Sequence, residues 1–398
     1  MTDINFPLAT TSWDEQEYAA IDRVVKSGMF SMGPEVAKFE RQFADAMGSA
    51  HAVMVNSGSS ANLLMVAALR YHAEHNLPEG SEVIVPAVSW STTYYPLHQY
   101  GLVMKFVDID PETLNYDLDA LEAAISPETK CIMVVNLLGN PNDFTRINKM
   151  IEGRDIIVIE DNCESLGATF EGRQAGTFGI AGTYSSFFSH HIATMEGGLV
   201  VTDDTELYHI MLSMRSHGWT RHLPHENHVT GTKSDDPFEE SFKFVLPGYN
   251  LRPVEMSGAI GQAQIAKLPM IVQERRANAE RFRALMQGYP QIRIQRELGE
   301  SSWFGFAMIV QPDAGFDRAA LLAALKKHGV ECRPIVAGNF AKNDVVTKHM
   351  AHTIHEELHN ANEIDQNGLF IGNHHYPLES HWDALRSALD EVGAVSDI

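Results

Sequence analysis

From about residue 53 the chain sets short, nearly continuous apolar runs against longer stretches whose apolar positions recur at helical spacing. The runs Glu82–Pro86 (EVIVP), Val103–Asp108 (VMKFVD), Cys131–Asn136 (CIMVVN), Asp155–Glu160 (DIIVIE), Thr183–Phe187 (TYSSF) and Gly198–Thr202 (GLVVT) predict strands. Amphipathic segments such as Ala61–Glu74 and Leu118–Ile125 predict helices between them. A strand apolar at nearly every position has no wet face, so it belongs in a sheet covered on both sides. Alternation with helices makes that sheet largely parallel. The expected fold class is α/β, with polar residues at the strand ends, where such sheets build their sites.

The rhythm breaks at Thr220–Phe242 (TRHLPHENHVTGTKSDDPFEESF), a polar stretch without clear period. So long a loop in a compact domain is functional or mobile. Beyond Arg252 a helical pattern runs from Val254 to about Met286, followed by a strand (Trp303–Gln311) and a helix (Asp317–His328). This predicts a large domain over residues 1–253, then a bridging helix and a small C-terminal α+β domain over 254–398. No internal repeat or low-complexity tract interrupts it.

Composition narrows the function. Fifty-two acidic against 30 basic side chains give a net charge of −22, which argues against wrapping nucleic acid or lying on an anionic membrane. It leaves room for a small anion, since one local set of donors can bind a phosphate. No apolar run is long enough to span a bilayer, and the N-terminal MTDINFPLATTSW lacks a signal-like segment; the expectation is a cytoplasmic enzyme. Cys131, Cys163 and Cys332 lie far apart and offer neither a disulfide framework nor four thiolates for a cluster. No metal site is expected.

Four stretches carry candidate chemistry. Asn56-Ser57-Gly58-Ser59-Ser60-Ala61 follows HAVMV and opens a helix, so small residues and unpaired N–H groups meet in one place. That suits a phosphate cradle, and a plain serine helix cap equally well. Trp90 lies just past a strand end, where it could present a flat face to an aromatic cofactor, although core packing explains it too. Asp161 ends the strand DIIVIE; a carboxylate there could pair with a pyridine nitrogen, or simply cap the next helix. The last stretch, Ser185-Ser186-Phe187-Phe188-Ser189-His190-His191 followed by Met195-Glu196-Gly197-Gly198, is the most informative.

The order of phosphate cradle, aromatic, strand-end Asp, serine-rich strand and Gly-Gly turn resembles the type I aminotransferase plan. It is similar to the nucleotide-sugar aminotransferases of the DegT/DnrJ/EryC1 family, which implies a mostly parallel seven-stranded sheet flanked by helices. In that family a lysine stands six residues before the glutamate of the Glu-Gly-Gly turn, and here that position is His190. No lysine occurs between Lys149 and Lys233. Two adjacent histidines in an otherwise intact site suggest acid–base work, with His190 as catalytic residue and His191 structural.

The departure resembles the lysine-less sugar 3-dehydratases of the family, through VPAVSWSTTYYP, VNLLGNPN, IEDNCESLGATF, SSFFSHHIATMEGG, LPGYNLRP and CRPIVAGNF, over nearly all 398 residues. The resemblance implies pyridoxal 5'-phosphate or pyridoxamine 5'-phosphate as cofactor and L-glutamate as amino donor. It implies a GDP-linked 4-keto-6-deoxyhexose as substrate and removal of its C3 hydroxyl, toward a dideoxysugar for surface polysaccharide. Gly58, Ser59 and Ser185 would then hold the cofactor phosphate, Trp90 its ring face, Asp161 its ring nitrogen and Glu164 the neighbourhood of its ring hydroxyl. Asn250 would reach the phosphate in the neighbouring subunit of a homodimer with shared sites. His217 and Arg252 are candidate substrate or interface residues, and Met29–Pro34 and Thr220–Phe242 candidate linings of the sugar site. Two other readings stay open: a sugar aminotransferase with a histidine base, and an inactive binding module on the same fold.

Overall fold

The computed structural model describes residues 4–394. Its main sheet has eight strands, in the spatial order His51–Val55, Gly198–Thr202, Ala181–Ser185, Ile157–Asp161, Thr129–Val135, Glu82–Pro86, Val103–Val107 and His352–Ile354. All neighbours pair in parallel except Gly198–Thr202, which runs antiparallel to both of its own. The sheet thus has one strand more than expected: His352–Ile354 comes from the C-terminal part of the chain and joins the edge beside Val103–Val107.

Side chains along the inner strands alternate between two faces of packed core. Val83 and Val85 pack on the face that buries the helix Gly58–Leu69, while Ile84 between them packs with Phe144 and Ile147 on the other. The same division separates Val53 and Val55 from Ala52 and Met54, which meet Phe39 and Phe43 of the helix Pro34–Met47. Both faces are covered, which is why the inner strands are mostly apolar.

The helix Glu255–Met286, 32 residues long, links this layer to a four-stranded antiparallel sheet in the order Ile292–Ile294, Gly305–Val310, Gly368–Gly372, Cys332–Arg333. That sheet has its own core around Phe282, Phe306, Leu325 and Leu385. Packing crosses residue 253/254 in both directions. Phe6 lies in the second core, whereas Phe340, Val346 and Ile364 belong to the main one.

Thr220–Phe242 is not without structure. It holds a two-residue ribbon, Glu226–Asn227 against Gly231–Thr232, and a short helix, Pro237–Glu240. Among the described residues no helix is long and apolar enough to cross a membrane.

Candidate active site

The carboxyl ends of the parallel strands open into a cavity of about 800 Å³. Each wall arises where a strand stops. Ile157–Asp161 ends on Asp161, and Ala181–Ser185 ends where the Ser186 N–H turns back to the Gly197 carbonyl at 2.9 Å. Glu82–Pro86 is followed by the loop that carries Trp90 to the head of the helix Ser91–Gln99.

The helix Gly58–Leu69 points its N-terminus into the cavity. Ser57 is its N-cap, accepting a hydrogen bond from the Ser60 N–H at 3.1 Å. The cap leaves the N–H groups of Gly58 and Ser59 at the cavity wall as donors for an anion. The cap is thus present, and the N–H groups beside it are available to an anion. Gly58 is required by packing: a Cβ there would sit 2.7 Å from the Ser185 Cβ and 3.1 Å from the Cys163 Sγ. The Gly-Gly turn has the same origin, since a Cβ on Gly198 would meet the Ser57 carbonyl oxygen at 2.3 Å.

Trp90 is 56% exposed and lines the cavity, so it is not a core residue. Its indole is a flat apolar surface. Asp161 is 6% exposed; its Oδ2 accepts from Asn62 Nδ2 at 2.8 Å and Thr93 Oγ1 at 2.7 Å, and its Oδ1 from the Cys163 N–H at 3.2 Å. A buried carboxylate held by neutral donors is a ready partner for a cationic ring nitrogen.

Glu164 also lines the cavity, where its Oε2 accepts from the Leu138 N–H at 3.0 Å. Burial pushes its pKa up to about 7, against the pull of that hydrogen bond and with help from the Asp161 charge.

The two histidines separate cleanly. His190 lines the cavity, with its ring 5.1 Å from that of Phe304 and its Nδ1 enclosed without a hydrogen-bond partner. Burial first, then the nearby Arg275 charge, push its pKa down to about 4, so at neutral pH the imidazole is uncharged and has a lone pair free to accept a proton. His191 is 1% exposed, outside the cavity wall, and its Nε2 is bonded to the Ser302 carbonyl at 3.0 Å. Only the first has access to a ligand.

Gly58, Ser59, Trp90, Asp161, Glu164, Ser185 and His190 thus share one cavity. Asn250, His217 and Arg252 do not. They form a separate cluster in which Arg252 Nε donates to Asn250 Oδ1 at 3.0 Å and its guanidinium lies 3.4 Å from His217 Nε2. Neither Met29–Pro34 nor Thr220–Phe242 lines this chain's cavity. Asn62 and Thr93 beside Asp161 were not among the residues expected from the sequence, nor was Arg333, a cationic wall residue contributed by the smaller sheet. A lone Asn and Thr inside helices have no spacing signature; Arg333 lay within the CRPIVAGNF stretch. No lysine lines the cavity among the described residues.

Proteins of similar sequence and fold identify the family. Residues 11–380 match the model of the DegT/DnrJ/EryC1/StrS aminotransferase family. The chain is 59% identical to a GDP-4-keto-6-deoxy-D-mannose 3-dehydratase of Escherichia coli O55:H7 over 386 residues, covering 97% of this chain and 100% of that one. It is 60% identical to the Yersinia pseudotuberculosis protein of the same description, over 94% of this chain and 95% of that one. A crystal structure of GDP-4-keto-6-deoxymannose-3-dehydratase with a trapped PLP-glutamate geminal diamine superposes with a TM-score of 0.95 at 59% identity, covering 97% of this chain and 100% of that one. A match of this kind over nearly the whole length means that the chain belongs to the DegT/DnrJ/EryC1/StrS aminotransferase family.

Proposed function

We propose that this chain is a pyridoxal-phosphate-dependent 3-dehydratase of GDP-4-keto-6-deoxy-D-mannose. With glutamate as amino donor it removes the sugar's C3 hydroxyl, giving the 3,6-dideoxy-4-keto sugar, 2-oxoglutarate and ammonia. The observation that carries the reading is His190: an imidazole held neutral in a cavity with no lysine in its wall.

The cavity fits the cofactor on its own features: open N–H donors at a helix N-terminus, an exposed indole face and a buried carboxylate. Gly58, Ser59 and Ser185 hold the phosphate, Trp90 covers the ring and Asp161 pairs with its nitrogen. Bound there, the cofactor supplies an electron sink through its protonated ring. Without a lysine to anchor it, these contacts alone retain it. His190, neutral near pH 7, would take the proton lost from the cofactor's C4′ carbon and deliver it to the departing C3 oxygen. Glu164, titrating near 7, donates a hydrogen bond toward the ring hydroxyl when protonated.

In the same reading the enzyme works as a homodimer. Asn250 is exposed and lies outside its own chain's cavity, which suits a residue that reaches the phosphate in the neighbouring subunit. His217 and Arg252 beside it then face the partner's substrate or the interface.

The test is product analysis with glutamate and the GDP-linked 4-keto sugar, by mass spectrometry and NMR. The expected products are the 3-deoxy ketone, ammonia and 2-oxoglutarate. A 4-amino sugar in their place would establish the aminotransferase alternative. Binding without turnover would establish the inactive module.

A further inference from the structure

The buried groups behind Asp161 form a chain whose direction is determined by valence. Thr93 Oγ1 has one proton, and it donates to Asp161 Oδ2. Ser89 Oγ, 2.8 Å from Thr93 Oγ1, must therefore be the donor in that pair. On the other side Thr183 Oγ1 donates to Asn62 Oδ1 at 2.6 Å. That contact orients the amide so that Nδ2 points to Asp161 Oδ2. Asn62, Thr93 and Thr183 are each at most 1% exposed and Ser89 is 2% exposed. They come from the helix Gly58–Leu69, the helix Ser91–Gln99 and its preceding loop, and the strand Ala181–Ser185.

Two donors thus converge on one carboxylate oxygen, while the other accepts one backbone N–H. We infer that Asn62 and Thr93, backed by Thr183 and Ser89, are positioning residues that decide where the proton between Asp161 and the cofactor ring nitrogen resides.

The reason is a balance between two forms of the same pair. In a dry site the proton can sit on the ring nitrogen, giving a pyridinium beside a carboxylate, or on the carboxyl oxygen, giving two neutral groups. Low polarity favours the neutral pair. Hydrogen bonds donated to the carboxylate favour the ionic one, and bonds to a charged acceptor are the strong kind. Only the ionic pair makes the ring an effective electron sink. Each lost donor should shift the ratio of the two forms by roughly tenfold toward the neutral pair.

The inference rests on the cofactor reading above, and one experiment separates their failures. The full-length protein is reconstituted with pyridoxal phosphate labelled with 15N in the ring, and the nitrogen chemical shift and cofactor Kd are measured. The parent protein should show a pyridinium nitrogen. Thr93→Val and Asn62→Leu should each displace the signal toward neutral pyridine, and the double variant furthest. Thr93→Ser, which keeps the hydroxyl, should return the parental signal. In turnover the variants should lose kcat with little change in the sugar KM. A folded, cofactor-bound double variant with the parental nitrogen shift would overturn the inference while leaving the function intact. Should the double variant fail to fold, Ser89→Ala, one bond further out, must give a smaller displacement of the same sign, and an unmoved signal there overturns it as well. A parent protein that binds no pyridoxal phosphate would overturn both.

Discussion

The cavity wall and the segment His217–Arg252 use similar side chains to opposite ends. Around Asp161 the polar groups of the wall are buried and matched: Asp161 has three donors, and Asn62 and Thr93 have partners on both sides. In the other segment Arg252 and Arg221 flank the Trp219 ring at 5.9 and 4.7 Å. Asn250 is exposed, as are Phe238 and Phe242, at 87% and 70%. The network around Asp161 is formed within one chain. The outer segment gathers cations and aromatic surface of which much is exposed, as a surface for another molecule does. This contrast suits a site whose chemistry is intramolecular and whose completion is shared between two subunits of the proposed dimer.

The comparison can be broken most sharply at the wall. His190→Asn should bind cofactor but lower dehydration roughly 10²–10⁴-fold, the usual worth of a positioned acid–base group. His191→Asn should stay within about tenfold of the parent and instead melt lower, because it loses its bond to the Ser302 carbonyl. Release of 3-deoxy sugar and ammonia measures both; an inactive His191→Asn beside an active His190→Asn would reverse the assignment. Asp161→Asn should lower 2-oxoglutarate formation from glutamate alone by roughly a hundredfold, since an amide cannot balance a charged ring nitrogen. A near-parental rate would remove Asp161 from its role.

The outer segment predicts smaller effects. Asn250→Ala should weaken cofactor binding by roughly tenfold, one hydrogen bond to a charged group, with unchanged circular dichroism. Light scattering that found a fully active monomer would contradict the shared site.

The smallest effect distinguishes burial from bonding within the wall. The Glu164 carboxyl, with an ordinary pKa of 4.5, titrates near 7 in the folded protein. Between those values the folded state holds more proton than the unfolded chain, so this group costs stability as pH rises from 4.5 through 7. Glu164→Gln, which keeps an acceptor for the Leu138 N–H, should melt a few degrees above the parent at pH 8, with the difference closing toward pH 4.5. His190 has the opposite sign: its folded value near 4 lies below the ordinary 6.5. Its contribution grows as pH rises from 4 to 6.5, and His190→Asn should lack that rise. Calorimetric melting curves across pH check both.

Much of this was legible in the sequence. Apolar runs such as EVIVP and GLVVT marked their strands within a residue or two, because burial on both faces leaves no polar position to blur the pattern. The cradle glycine, the strand-end Asp161, the substituted position 190 and the absence of a nearby lysine were also local facts. His352–Ile354 was not legible: three residues without an apolar run become a strand only because the edge of Val103–Val107 is there to pair with them. Nor did any pattern show that Phe6 would enter the second core. Adjacent histidines are equivalent as letters; the fold turns one into the cavity and ties the other to Ser302. Asn62, Thr93 and Thr183 carry no motif, because their chemistry lies in a convergence of two helices and a strand on one carboxylate. Sequence determines which groups are available and which faces are buried. Direction, access and the pairing of polar atoms brought together from distant positions are decided only when the elements pack.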